Sequence, residues 1–189
     1  GVCRYAVATG DTAIFDMAIN GETVTARLER ALDYVHTHRF SEAHGLVWGA
    51  TTADWGDVQP EHEWGVAFDE NSHRAIDIYD NALYLQAIDE FVHTAPNLTR
   101  AQQERWRGIH RDMTAKVRDH LWDETHEKFV PHIYLDGSPF APEFDENQIY
   151  YHGGTAVAIE AGLLSRKEVK RALDRMVQNV RDAGAASIG

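Results

Sequence analysis

Between Trp48 and Trp64 the chain crowds residues that could do chemistry. Asp54, Asp57, Glu61 and Glu63 alternate there with Trp55, Gln59, His62 and Trp64. Indole faces stack on saturated polyhydroxylated rings, while carboxylates and amides bind hydroxyls or move protons. Asp57 is the first candidate for a proton-donating acid and Asp54 the second, because partial desolvation by Trp55 between them favours the protonated form. Trp48, Trp55 and Trp64 are candidates for stacking, and Gln59 and Glu63 for holding hydroxyls. The competing readings are local: an Asp turning the chain beside Gly56, tryptophans that plug the end of a core, and a solvated edge at Glu61 and Glu63.

Two further groups join this set. His73 and Arg74, with Asn71, stand just after the loop, and Asp77, Asp80 and Asn81 follow on what reads as an apolar helix. Polar groups spaced i, i+3 and i+4 on such a helix are costly unless paired, so they point to an inner network or a polar cavity. Asp77 with Arg74 also reads as a structural pair. Tyr151 and His152 precede Gly153-Gly154, where a substrate contact and a capping role compete. The acids before them, Glu143, Asp145 and Glu146, read as solvated.

These residues need positioning, and the periodicity supplies five helices. The first covers about 22–38, with Val24, Leu28, Leu32 and Val35 on one face. The second starts near Ser72 and runs to about His93, apolar round most of its circumference, which marks an inner helix. The third begins at Thr99, in capping-box relation to Gln102, with a narrow stripe of Trp106, Ile109, Met113, Val117 and Leu121. The fourth, about 153–161, is built of small residues that allow close approach. The fifth starts at the Ser165–Glu168 capping box and ends near Gly184. Ahead of them, Arg4 to Ala8 read as the end of a helix, and Ile14, Phe15 and Met17 as a short buried segment. A small strand pair is expected around Phe129, Ile133 and Tyr134.

Outer and inner helices therefore alternate. Outer-to-inner connections are long and chemically rich, inner-to-outer ones short. In antiparallel hairpins this brings both long connections to one end, where a cleft can form. The fold class expected is all-α: alternating outer and inner helical hairpins.

Asp54-Trp55-Gly56-Asp57, together with the hairpin alternation and the Gly-Gly-Thr-Ala-Val-Ala helix followed by Ala-Gly-Leu-Leu, resembles the six-hairpin glycosidases. The resemblance implies an (α/α)6 toroid of which this chain makes about half a ring. Residues 1–189 would then be part of a single toroidal domain cut at both ends. It further implies a glycoside hydrolase acting on an oligosaccharide by general acid/base catalysis with inversion. The loop would carry the acid, and a second carboxylate could lie outside the chain.

Composition narrows the partners. The formal net charge of −12 argues against nucleic acid and against an anionic membrane surface, and a neutral or cationic ligand is easier to accommodate. The carbohydrate substrate expected as partner is what the loop residues suggest and the resemblance implies. No metal or other cofactor is expected: the eleven histidines form no His-Glu-x-x-His pattern, and the one cysteine gives neither a disulfide nor a thiolate metal site. No apolar run nears the roughly 20 residues of a membrane span. Two other functions compete with the hydrolase. A sugar isomerase or epimerase of the same shape would move protons with His62, His73 and His152, and a helical scaffold would bind carbohydrate without catalysis. Oligomeric state and compartment do not follow from the sequence.

Overall fold

A computed structural model describes residues 1–50, 70 and 72–185. The loop residues Asp54, Trp55, Asp57, Gln59, Glu61, His62, Glu63 and Trp64, with Asn71, lie outside the described residues. Helix α1 (Val2–Thr9) is followed by a 3-10 turn at Ala13–Asp16 and the short pair β1 (Ala18–Ile19) and β2 (Glu22–Thr23). The turn buries Phe15 completely, but Met17 is exposed rather than part of a buried segment. Helix α2 (Val24–His38) starts where the Thr23 hydroxyl accepts from the Ala26 amide, relieving one of the unpaired donors of the first turn.

Strands β3 (Phe40–Ser41), β4 (Leu46–Val47), β5 (Gly49–Ala50) and β6 (Arg74–Ile76) come before α3 (Ile78–Thr94). Here the structure corrects two expectations. The second helix does not begin near Ser72: residues 74–76 are extended and paired on both sides, and the helix starts only after Asp77, whose carboxylate accepts the Asp80 amide. The chain is also not purely helical, because its long connections satisfy their backbone groups with short antiparallel ladders.

Helix α3 is the centre of the molecule. Ile78, Ala82, Tyr84, Leu85, Ile88, Phe91 and Val92 are all buried on it, and it packs against α1, α2, α4 (Arg100–Leu121) and α5 (His152–Glu160). Each large apolar side chain so buried adds about 1.5–3 kcal/mol relative to exposure. Helix α4 turns only a stripe inward, namely Trp106, Met113, Val117 and Leu121, as its narrow apolar spacing requires. Trp106 is fully buried, and its indole N–H donates to Glu29 on α2 at 3.0 Å, so its one polar atom is not orphaned. The capping boxes at Thr99 of α4 and Ser165 of α6 (Arg166–Asp182) both form as the sequence dictates.

The expected strand pair around residues 129–134 is split between two partners. β7 (Trp122–Asp123) pairs with β8 (Lys128–Phe129), while β9 (Ile133–Tyr134) leaves to join β6. The order β5-β6-β9 thus puts strands from both long connections into one sheet. That sheet lies at the start of α3 and fixes both connections at the same end. Among the described residues, no helix is long and apolar enough to cross a membrane.

Candidate functional site

The site is built on the sheet β5-β6-β9 and the first turn of α3. Asn81, fully buried, accepts from the Val47 amide at 3.0 Å and donates to the carbonyls of Val47 (2.9 Å) and Asp77 (2.7 Å). Both amide protons are spent on backbone, so this residue ties β4 to α3. Asn81 was itself expected as a substrate contact, and in the structure its amide hydrogens go to backbone carbonyls. Asp77 caps the helix and is also buried.

Asp80 differs from both neighbours. Its amide is bonded to Asp77, but among the described residues no donor reaches its carboxylate. Burial pushes its carboxyl above the usual range, and positive charge on His132 pulls partly the other way. A cavity of about 360 Å³ opens beside it, lined also by Val35, Arg39, Val47, Trp48 and Tyr84.

Trp48 packs against the core with the guanidinium of Arg39 4.6 Å from its ring centre and that of Arg74 5.3 Å away. These contacts take up ring surface that stacking on a sugar would need. Arg74 does not pair with Asp77 as expected. It forks onto Asp136, with Nε to Oδ2 at 2.6 Å and Nη2 to Oδ1 at 2.5 Å, and this hydrogen bond holds the Asp136 carboxyl below the ordinary range. His73 reaches the Gly137 carbonyl at 2.7 Å. The turn at 136–137 is therefore fastened to the entry of β6 by two side chains.

Behind Asp80 stands a group that the sequence reading passed over. His132, with its side chain 1% exposed, meets Glu146 Oε1 through Nδ1 at 2.5 Å. The Tyr134 hydroxyl lies 2.9 and 3.0 Å from the two Glu146 oxygens, and the Tyr151 ring meets His132 edge-on at 5.3 Å. Glu146 is thus a bonded, largely buried carboxylate, which corrects the expectation of a solvated one. The available signal was extended-chain alternation, which puts Tyr134 of β9 and His132 just before that strand on one side. No local pattern pointed to Glu146, fourteen residues from His132.

Lys128 completes the second connection from below. It is buried, donates to the carbonyls of Asn147 and Ile149, and lies 4.8 Å from the Tyr150 ring centre. Desolvation lowers its pKa. Tyr151 is the N-cap residue of α5 and His152 its first helical residue. Of the predicted contacts, Trp48, His73, Arg74, Asp80, Asn81, Tyr151 and His152 fall within the described residues, at the two long connections or the helix starts that follow them. Among the described residues, no group of three or more His, Cys, Asp or Glu could hold a metal ion.

Comparison with known proteins gives a likeness of fold. A GH78 family rhamnosidase of Bacillus sp. GL1 superposes with a TM-score of 0.61 over 98% of this chain, at 14% identity and over 19% of its own length. The fold is shared. In sequence, an N,N'-diacetylchitobiose phosphorylase of Vibrio proteolyticus is 24% identical over 189 residues, covering 95% of this chain. No protein-family model matches. The chain spans about a fifth of the length of these relatives, 21% of the phosphorylase and 19% of the rhamnosidase.

Proposed function

We propose that the chain is part of a carbohydrate-active enzyme that cleaves glycosidic bonds in an oligosaccharide, built as a portion of a single (α/α) toroid. The observation that carries this reading is the convergence of both long connections in the sheet β5-β6-β9 at the start of inner helix α3. The loop after β5 bears Asp54-Trp55-Gly56-Asp57. Asp57 is proposed as the general acid that protonates the leaving oxygen, with Asp54 the alternative, and the reaction inverts the anomeric centre. The names of the two relatives, both acting on glycosides, support the substrate class.

The phosphorylase relative favours a second reading of the acceptor. Inversion by water needs a second carboxylate as base. Phosphate arrives already anionic, so one protein acid suffices. N,N'-diacetylchitobiose and an aryl rhamnoside, each incubated with the full chain with and without inorganic phosphate, separate these readings by product: free sugar or sugar 1-phosphate. Asp57→Asn should lower turnover by about 10²–10⁴-fold without unfolding the protein. Full activity in that variant would move the assignment to Asp54, and full activity in both single variants would overturn it. Wash-in of deuterium from heavy water into a free monosaccharide would instead favour the isomerase or epimerase.

A further inference from the structure

Carboxylates drawn away from water in folded proteins have donors, and the partly buried Asp80 is conspicuous for having none among the described residues. Its neighbours on α3 show what a satisfied polar group looks like there: Asp77 caps the helix, and Asn81 makes three bonds to backbone. Gly49 passes so close that a Cβ on it would overlap the Asp80 Oδ2. The chain keeps room for this carboxylate, and among the described residues no hydrogen-bond donor reaches it. A side chain in that condition costs free energy unless it is protonated or a ligand brings the donors.

The surroundings say which ligand. The cavity of about 360 Å³ beside Asp80 has apolar walls at Val35, Val47 and Tyr84, with Arg39 and Trp48 at its side. Its size suits one or two sugar rings, and its walls suit the apolar C–H faces of a pyranose better than a fully charged ligand. The register Ile76↔Ile133 places His132 across from Asp77, one helical turn before Asp80, and His132 and Asp80 interact electrostatically. The His132 Nδ1 is committed to Glu146, and Glu146 is held by Tyr134.

We propose that Asp80 is a ligand-binding carboxylate of this cavity, accepting hydroxyl hydrogens from a neutral pyranose ring, with the His132–Glu146 pair holding the counter-charge behind it. The inference rests on the carbohydrate reading above and assigns one contact within it. The ionisable groups around Asp80 are Asp77 on its own helix, His132 with Glu146 from the second connection, and Arg39 and Tyr84 at the cavity. Ionised Asp80 is the better acceptor, so binding strengthens as pH rises through its titration. Removing the positive charge of His132 moves that titration to higher pH.

The test is binding of N-acetylglucosamine, glucose and N,N'-diacetylchitobiose to the full chain across pH, read by tryptophan fluorescence and calorimetry. Asp80→Asn, nearly isosteric, should weaken binding by about tenfold to a hundredfold. His132→Gln should leave binding intact at high pH and shift the midpoint of its pH dependence upward. His132→Phe repeats this with the ring volume kept, in case the first variant folds poorly, and carbon-13 NMR of the Asp80 carboxyl follows the same shift without any sugar. Undiminished binding in Asp80→Asn, or an unmoved midpoint in both His132 variants, overturns the inference alone. If none of the three sugars binds the wild type, the carbohydrate reading falls and takes the inference with it.

Discussion

Gly49 and Asp80 sit in mutual exclusion: a methyl group on the glycine would overlap the Oδ2 of the aspartate. Gly49 lies on β5 and Asp80 in the first turn of α3, so the contact joins the first long connection to the central helix. The glycine is needed here for closeness of approach rather than for an unusual backbone angle. Gly49→Ala should therefore push the Asp80 carboxylate toward the cavity beside it and destabilise the fold by only about 1 kcal/mol, the low end for overpacking, because the overlapping atom is the tip of a side chain. In an Asp80→Ala background the same change should cost less, and a double-mutant cycle in urea reads the difference directly.

Asp80 also sets a pH dependence of stability. Its carboxyl in the folded state is raised above the usual value, with burial as the main cause. Between the ordinary Asp value and that raised one, the folded chain binds more protons than the unfolded chain, so stability falls as pH rises through this window. Asp80→Asn should abolish this fall. The variant should match wild type below the window and exceed it above, a result checked by chemical denaturation at a series of pH values. A more stable but less competent protein is the expected signature of a group retained for binding.

Asn81 should be far less forgiving. Replacing it by Ala leaves the Val47 amide and carbonyl without partners in a place water does not reach. The cost should be about 2–4 kcal/mol, seen as a lower urea midpoint with little change in slope. Asn81→Asp is a second check, because it keeps the acceptor for the Val47 amide and loses both donors.

The Arg74–Asp136 fork acts in the opposite pH sense to Asp80. Its Asp carboxyl is depressed by the guanidinium hydrogen bond, so the stabilisation is complete above the ordinary carboxylate value and disappears as pH falls through the depressed one. Both side chains are more than a third exposed, and the pair should contribute no more than about 1 kcal/mol. Asp136→Asn should scarcely change global stability. It should raise hydrogen exchange at the Leu135 amide, which bonds to the Arg74 carbonyl at 2.9 Å and reports directly on this junction.

Much of the helical frame was legible because it follows from short-range rules. The capping boxes at Thr99 and Ser165 and the narrow stripe of α4 are patterns within a few residues of one another, and each forms as read. The all-round apolar surface of α3 marked it as central before any contact was known, since a helix without a polar face must be covered on several sides. The long connections also suggested that chemistry would gather at one end. Pairing of β6 with β5 and with β9 brings those connections together.

What the sequence alone determined, then, is the helical scaffold and the types of residue in its long connections. The tertiary structure decided how those residues pair. Asp77, Asp80 and Asn81 were indistinguishable as polar intrusions on an apolar helix, yet one caps, one binds backbone and one faces a cavity with no donor among the described residues. Arg74 chose Asp136 over Asp77, and His132 found Glu146, across 62 and 14 residues of chain. The reason is physical. Helix periodicity and capping are written in neighbours, whereas the charge and partner of a buried polar group depend on which strand register brings distant side chains within about 3 Å.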